Sequence, residues 1–108
     1  VPTQVVEIGE DNQMREYCID PKDFGIEDCP VSDLAGGDSH ENAQLALAVL
    51  SGTGRKGILE AVALNAAASL YIAGFSPSLK EAYSTAKRVM LDGSVLRKIE
   101  EVREASCA

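Results

Sequence analysis

The sequence predicts a β-hairpin followed by four α-helices, and three observations carry that reading. Apolar and polar residues alternate over the first twenty positions, as on half-buried strands. Two later stretches open with a capping box, Asp38 with Glu41 and Ser78 with Glu81. Behind Ser78, apolar residues recur at i, i+3, i+4 and i+7, the spacing of a single helix face.

The elements follow in chain order. Val6 and Ile8 share a strand face, "GEDNQ" offers a polar turn, and Tyr17 and Ile19 resume the apolar pattern in "MREYCID". This places the hairpin at about 4–20. Pro21, which has no N–H to give, ends the second strand, and Gly25 supports a turn. Residues 21–37 read as a connecting loop, with no clear period from Ile26 to Gly37.

The first helix spans about 38–51. Asp38 is its N-cap, and Leu45, Ala46, Val49 and Leu50 supply its buried stripe before Ser51 and Gly52 end it. The second covers about 58–73. Between Val62 and Ala73 only Asn65 and Ser69 are polar, so this helix is expected to be buried on most sides, with Gly74 after its end. The third covers about 78–92 and buries Leu79, Ala82, Tyr83, Ala86, Val89 and Met90. "DGS" breaks it. The fourth, about 94–105, turns Leu96, Ile99 and Val102 inward and "RKIEEVRE" outward as a salt-bridged face. A lone hairpin is marginal, and a helix apolar nearly all round needs neighbours that three other short helices hardly supply. The reading therefore expects a piece of something larger, or a chain that associates with its own copies.

Composition narrows the function. The chain has 108 residues, 45% apolar and 25% charged, which is the balance of a soluble globular domain. No apolar run reaches the ~18 residues of a membrane span. The opening "VPTQVVEIGED" lacks the basic and apolar regions of a signal peptide. No membrane partner is expected. The net charge of −7 also argues against a nucleic-acid partner, which needs clustered Lys and Arg. Cys18, Cys29 and Cys107 show no C-x-x-C spacing, and His40 is the single histidine, so a Cys/His metal site is not expected. Free thiols in a reducing cytoplasm are the simpler account.

"GTGRKG", Gly52 to Gly57, fits G-x-G-x-x-G and carries Arg55 and Lys56. The dinucleotide fingerprint needs a strand before its first glycine and a helix opening at its third. Here a helix precedes it and no parallel strand follows, so it reads as the turn of an αα-hairpin. His40 falls in the first turn of a helix and reads as solvent-facing. Asp38 and Glu41 read as a cap rather than paired catalytic carboxylates. Asn65 and Ser69 are expected to make a buried hydrogen bond between helices. Cys18 has only Arg15 nearby to lower its pKa and reads as a structural or surface thiol.

The order of "EYCIDPKDFGI", "DLAGGDSHENAQLALAVLSG", "AVALNAAASLYIAG" and "SLKEAYSTAKRVMLDGSVLRKIEEV" is more specific than any one of them. Together they closely resemble the C-terminal part of the anthranilate phosphoribosyltransferase family, from Pro2 to about Val102. The resemblance implies an α/β parent enzyme, with a phosphoribosyltransferase/nucleoside phosphorylase-like catalytic domain built on a mainly parallel sheet beside a small helical domain. It implies transfer of phosphoribosyl from phosphoribosyl pyrophosphate to the amino group of anthranilate, assisted by Mg²⁺, in a homodimer. The partner of this segment would be the remainder of the transferase chain, whose strands would also cover the crowded second helix.

The family's Gly-Thr-Gly-Gly-Asp and Lys-His-Gly-Asn motifs have no match here. Neither "GTGRKG" nor Gly36–Asp38 is the pyrophosphate loop. The family's Mg²⁺-holding Asp-Glu pair would fall upstream of Val1. No catalytic, substrate-binding or metal residue, and no cofactor, is therefore expected on this segment, which alone would be inactive. Asn65 and Ser69 retain a second reading, as support beneath the family's active site. The rival readings are a non-catalytic paralogue, a helical interaction module, and a sister transferase or nucleoside phosphorylase of related fold.

Overall fold

A computed structural model describes residues 2–107. Val1, Ala108 and the side chains of Val31 and Cys107 lie outside the described residues, and the free-thiol reading of Cys107 falls there. The chain runs through two strands, β1 (Thr3–Ile8) and β2 (Met14–Ile19), and then four helices. These are α1 (Ser39–Leu50), α2 (Lys56–Ile72), α3 (Leu79–Leu91) and α4 (Ser94–Cys107).

The strands pair antiparallel, from Thr3 opposite Ile19 to Ile8 opposite Met14. Their turn is closed by the Gly9 amide on Gln13 O at 3.0 Å and the Asn12 amide on Gly9 O at 2.9 Å. Asn12 takes φ 61°, a left-handed conformation that Asn tolerates because its short polar side chain bonds locally. This register corrects the expected apolar face. Opposed residues share a side of the sheet, so Tyr17 and Ile19 lie with Val5 and Thr3, while Val6 and Ile8 lie with Met14 on the other side. The first side packs toward the helices, and the second is open, with Ile8 70% exposed.

The expected loop 21–37 holds two 3₁₀ turns, Pro21–Phe24 and Val31–Leu34. Asp20 caps the first by accepting the Lys22 amide at 3.0 Å, Pro21 fixes its first φ, and Gly25 leaves it at φ 75°. The turn has a packing purpose. It sets the Phe24 ring edge-on against Tyr83, with centroids 5.4 Å apart. The second turn lies on the start of α2, where a Cβ on Gly57 would come within 2.9 Å of Cys29 Sγ and 3.3 Å of Asp33 Cβ. Too few apolar residues separate these contacts to show a period, which is why the stretch reads as structureless.

The core is helical. Val49, Ala63, Ala67, Ala82, Tyr83, Ala86 and Met90 are buried, and no hairpin residue joins them. Alanines on both facing surfaces let α2 and α3 approach closely. Leu79 and Val89 are half-buried beside the buried residues of α3, so its stripe lies as the spacing predicts. α2 opens at Lys56, two residues before the expected start.

Three burial expectations are corrected. α2 is not covered on most sides: Val62 is exposed and Ile72 is 74% exposed, because α1, α3 and the second 3₁₀ turn reach only part of its surface. Ala46 on α1 is exposed. On α4, Leu96 is half-buried, but Ile99 and Val102 are exposed because the helix runs past the body it starts against, with Val102 57% exposed.

Candidate functional site

Among the described residues two concavities and one half-buried polar cluster gather the charged side chains. The larger concavity, about 450 Å³, opens between the second 3₁₀ turn and α1 and is lined by Ser32, Ala35, His40, Glu41, Gln44 and Arg55 among others. The Arg55 guanidinium is committed to backbone carbonyls. Arg55 Nη1 donates to Ala35 O at 3.1 Å and Ser32 O at 3.5 Å, tying the turn to the start of α2. Asp38 Oδ1 accepts the Glu41 amide at 2.8 Å, which is the cap that the sequence pattern predicts. Asn42 accepts the Gly37 amide at 2.8 Å and donates to Gly37 O at 3.1 Å, fixing the approach to the helix. His40 is exposed in the first turn of α1.

The "GTGRKG" stretch borders this concavity as a turn. After α1 the Gly52 amide donates to Val49 O at 3.1 Å and the Thr53 amide to Ala48 O at 3.0 Å, with Gly52 left-handed at φ 84°. This is a Schellman closure. It turns the Gly52 and Thr53 N–H groups back onto α1 carbonyls, whereas a phosphate cradle would converge such groups on an open point. Gly54 is required for a steric reason, since its Cβ would stand 2.5 Å from Val49 N.

The smaller concavity, about 220 Å³, lies between the hairpin and the helices, lined by Glu7, Arg15, Tyr17, Tyr71, Pro77, Ser78 and Leu79. Glu7 is its centre, with a side chain only 12% exposed. Its carboxylate accepts from Arg15 Nη2 at 2.6 Å, Tyr17 Oη at 3.0 Å and Tyr71 Oη at 2.9 and 3.1 Å. The Tyr71 hydrogen bond first, then those of Tyr17 and Arg15, hold the Glu7 carboxyl below the usual carboxylate range. Burial, and then the bond to Glu7, pushes the Tyr17 phenol up. The sequence reading missed this cluster. Glu7 and Arg15 become legible as a cross-strand ion pair once the register is fixed. Tyr71, 64 residues away, leaves no local signal.

The polar cluster ties α2 to α3. Tyr83 Oη donates to Glu60 Oε2, Lys87 Nζ reaches Glu60 Oε1 at 2.6 Å, and Lys87 lies 5.6 Å from the Tyr83 ring centroid. Burial first, then Glu60, raises the Tyr83 pKa, and the Glu60 bond raises that of Lys87. The arrangement is a brace between helices.

The remaining sequence candidates are scattered. Asn65 and Ser69 do not bridge helices. Both are exposed and bond back into α2, Asn65 Nδ2 to Ala61 O at 2.8 Å and Ser69 Oγ to Asn65 O at 3.3 Å. Cys18 and Cys29 are free and exposed. No group of three or more His, Cys, Asp or Glu among the described residues is placed to hold a metal ion, and no helix among them is long and apolar enough to cross a membrane.

The chain matches the family described as the glycosyl transferase family, a/b domain, over residues 1–96. It is similar to proteins named anthranilate phosphoribosyltransferase. One from Shewanella sp. strain ANA-3 is 34% identical over 104 residues, covering 96% of this chain and 30% of that protein. One from Corynebacterium efficiens is 40% identical over 93 residues, covering 86% and 27%. One from Methanobrevibacter smithii is 38% identical over 103 residues, covering 94% and 30%. The chain thus spans less than a third of the length of each of these relatives.

Proposed function

Because the chain belongs to the glycosyl transferase family, a/b domain, we propose that it serves as part of an anthranilate phosphoribosyltransferase. The complete enzyme, in this reading, is an α/β protein of the cytoplasm, works as a homodimer, and moves the phosphoribosyl group of phosphoribosyl pyrophosphate onto the amino group of anthranilate. The observation that carries the proposal is coverage: relatives of that name match 86–96% of this chain while the match takes up 27–30% of each of them.

Mg²⁺ would assist departure of pyrophosphate in that enzyme, but the residues described here do not fit the ion. A hard cation wants several oxygen ligands converging. Asp38 is engaged by the Glu41 amide, and Glu7 by two phenols and a guanidinium. No step on this chain is routed through metal. Its contribution is support: Tyr71 on α2 holds the hairpin through Glu7, and the exposed apolar residues of the hairpin and α2 offer a surface for the rest of the enzyme.

The test is a graft. Residues 2–107 replace the matching segment of the Shewanella relative, and loss of anthranilate fluorescence is followed with phosphoribosyl pyrophosphate and Mg²⁺. A chimera that consumes anthranilate supports the reading. A chimera that melts cooperatively yet is inactive overturns it. Activity from the 108-residue chain alone would overturn the supporting role.

A further inference from the structure

The hairpin contributes no residue to the buried core, which is wholly helical. Its outer side carries Val6, Ile8 and Met14, all exposed, and its inner side is only half-buried at Val5, Glu7, Tyr17 and Ile19. A cleft of about 220 Å³ remains beneath it, walled by Pro77, Ser78 and Leu79 opposite the strands. The apolar contact that would cement the hairpin to the helices is therefore thin, and a polar contact stands in its place. Tyr71, in the last turn of α2, donates to both oxygens of Glu7 at 2.9 and 3.1 Å. Arg15 and Tyr17 donate to the same carboxylate from the neighbouring strand. Glu7 thus joins three elements, and every group bonded to it is a donor.

We propose that Glu7 is a latch: its carboxylate seats the whole hairpin on the end of α2, and losing the Glu7–Tyr71 contact lets the hairpin lift from the helices as one unit. The geometry supports motion as a unit. Arg15 and Tyr17 stay with Glu7 inside the hairpin, where the strand ladder is continuous, whereas Tyr71 belongs to the rigid α2–α3 pair. The point that would flex is the junction at Asp20, between the end of β2 and the first 3₁₀ turn, because beyond it Phe24 is packed on Tyr83 and Arg55 holds the second turn. The charged and titratable groups facing Glu7 are Arg15, Tyr17 and Tyr71, and no second carboxylate bonds within the cluster. This inference does not depend on the transferase reading.

Hydrogen–deuterium exchange of the full chain tests it, comparing the wild type with Tyr71→Phe, Glu7→Gln and the outer-side control Glu16→Gln. A hydrogen bond to a charged group is worth roughly tenfold or more in an opening equilibrium. Tyr71→Phe keeps the ring and removes only the donor, so it reports on the latch even if Glu7→Gln disturbs the strands. A hairpin lifted off the helices is a lone two-stranded ladder, which is marginal and opens readily. The expected result is therefore exchange about tenfold faster across residues 3–19 in both latch variants. Residues 56–91 should be unchanged, and Glu16→Gln should match the wild type. Unchanged exchange at 3–19 would overturn the proposal, because other contacts would then seat the hairpin. A rise spread evenly over 3–19 and 56–91 would overturn it too, making Glu7 part of one common folding unit. So would an equal effect from Glu16→Gln.

Discussion

Substituting Gly54 by Ala should destabilise the chain without touching any ligand. The added Cβ would lie 2.5 Å from Val49 N and 2.6 Å from both Val49 Cα and Cγ2. Carbon atoms in contact sit ~3.5–4 Å apart, so the turn and the end of α1 must separate by about 1 Å. Two of the three obstructing atoms are backbone, and Val49 is 4% exposed within the core, so no flexible side chain can give way. Overpacking of this kind costs about 1–3 kcal/mol. Against it stands the lower entropy of the unfolded chain with Ala, worth about 0.4–1 kcal/mol in the other direction. The steric cost wins, leaving a net loss of about 1–2 kcal/mol. For a domain of this size that is a fall of roughly 5–10 °C in Tm. Thermal unfolding followed by circular dichroism at the helix band measures it. Equal melting of variant and wild type would refute the close approach. Pyrophosphate supplies the second arm. A true cradle at about 100 times its Kd would add about 2.7 kcal/mol, and a wild-type Tm that rises with pyrophosphate while Gly54→Ala does not would restore the phosphate reading of "GTGRKG".

Three further outcomes follow from the same geometry. Asp38→Ala removes the oxygen that accepts the Glu41 amide and should cost about 1 kcal/mol, with faster amide exchange confined to the first turn of α1. Tyr83→Phe removes the phenol bonded to Glu60 but leaves Lys87 paired with it, and should lower the unfolding free energy by about 1–2 kcal/mol, read as a lower urea midpoint with an unchanged m-value. Glu7 is held below its ordinary pKa, chiefly by the Tyr71 hydrogen bond. The folded chain thus binds its proton less readily than the unfolded one, so the contribution is full above the ordinary carboxylate range and is lost as pH falls through the depressed value. Urea midpoints from neutral pH to about pH 3 should fall more steeply for wild type than for Glu7→Gln, and parallel curves would contradict the assignment.

What was legible in the sequence was local chemistry. A cap needs one side chain and an amide three residues on, so Asp38–Glu41 and Ser78–Glu81 could be read from spacing and are found as capping contacts. The stripe of α3 needs only periodicity, and Ala82, Tyr83, Ala86 and Met90 are buried as read. The Gly52–Gly57 turn needed its context, a helix on each side. What failed depended on distant parts of the chain. Whether Val6 or Val5 faces the helices is decided by strand register, and a shift of one residue exchanges the two sides. The Glu7–Tyr71 contact joins positions that no local window contains.

The errors over burial have one cause, and it bears on function. Periodicity reports which side of an element would gain by leaving water, not whether anything covers it. Ile99 and Val102 are expected inward from the pattern of α4, and Val62 and Ile72 lie on an α2 expected to be buried on most sides, yet all four are exposed. Val6, Ile8 and Met14 add a small apolar cluster on the outer side of the hairpin, since Ile8 pairs with Met14 and Val6 is two residues along the same strand, with Glu16 opposite Val6. Scattered exposed apolar residues are ordinary, but a contiguous set usually marks an interface. Charge makes the same distinction within α4, where Lys98 pairs with Glu101 on one flank and Arg103 with Glu100 on the other, while Ile99 and Val102 between them stay exposed. A helix built only to face water would not need that asymmetry. The burial expectations that fail at Val62, Ile72, Ile99 and Val102 therefore mark apolar surface that the rest of this segment leaves uncovered.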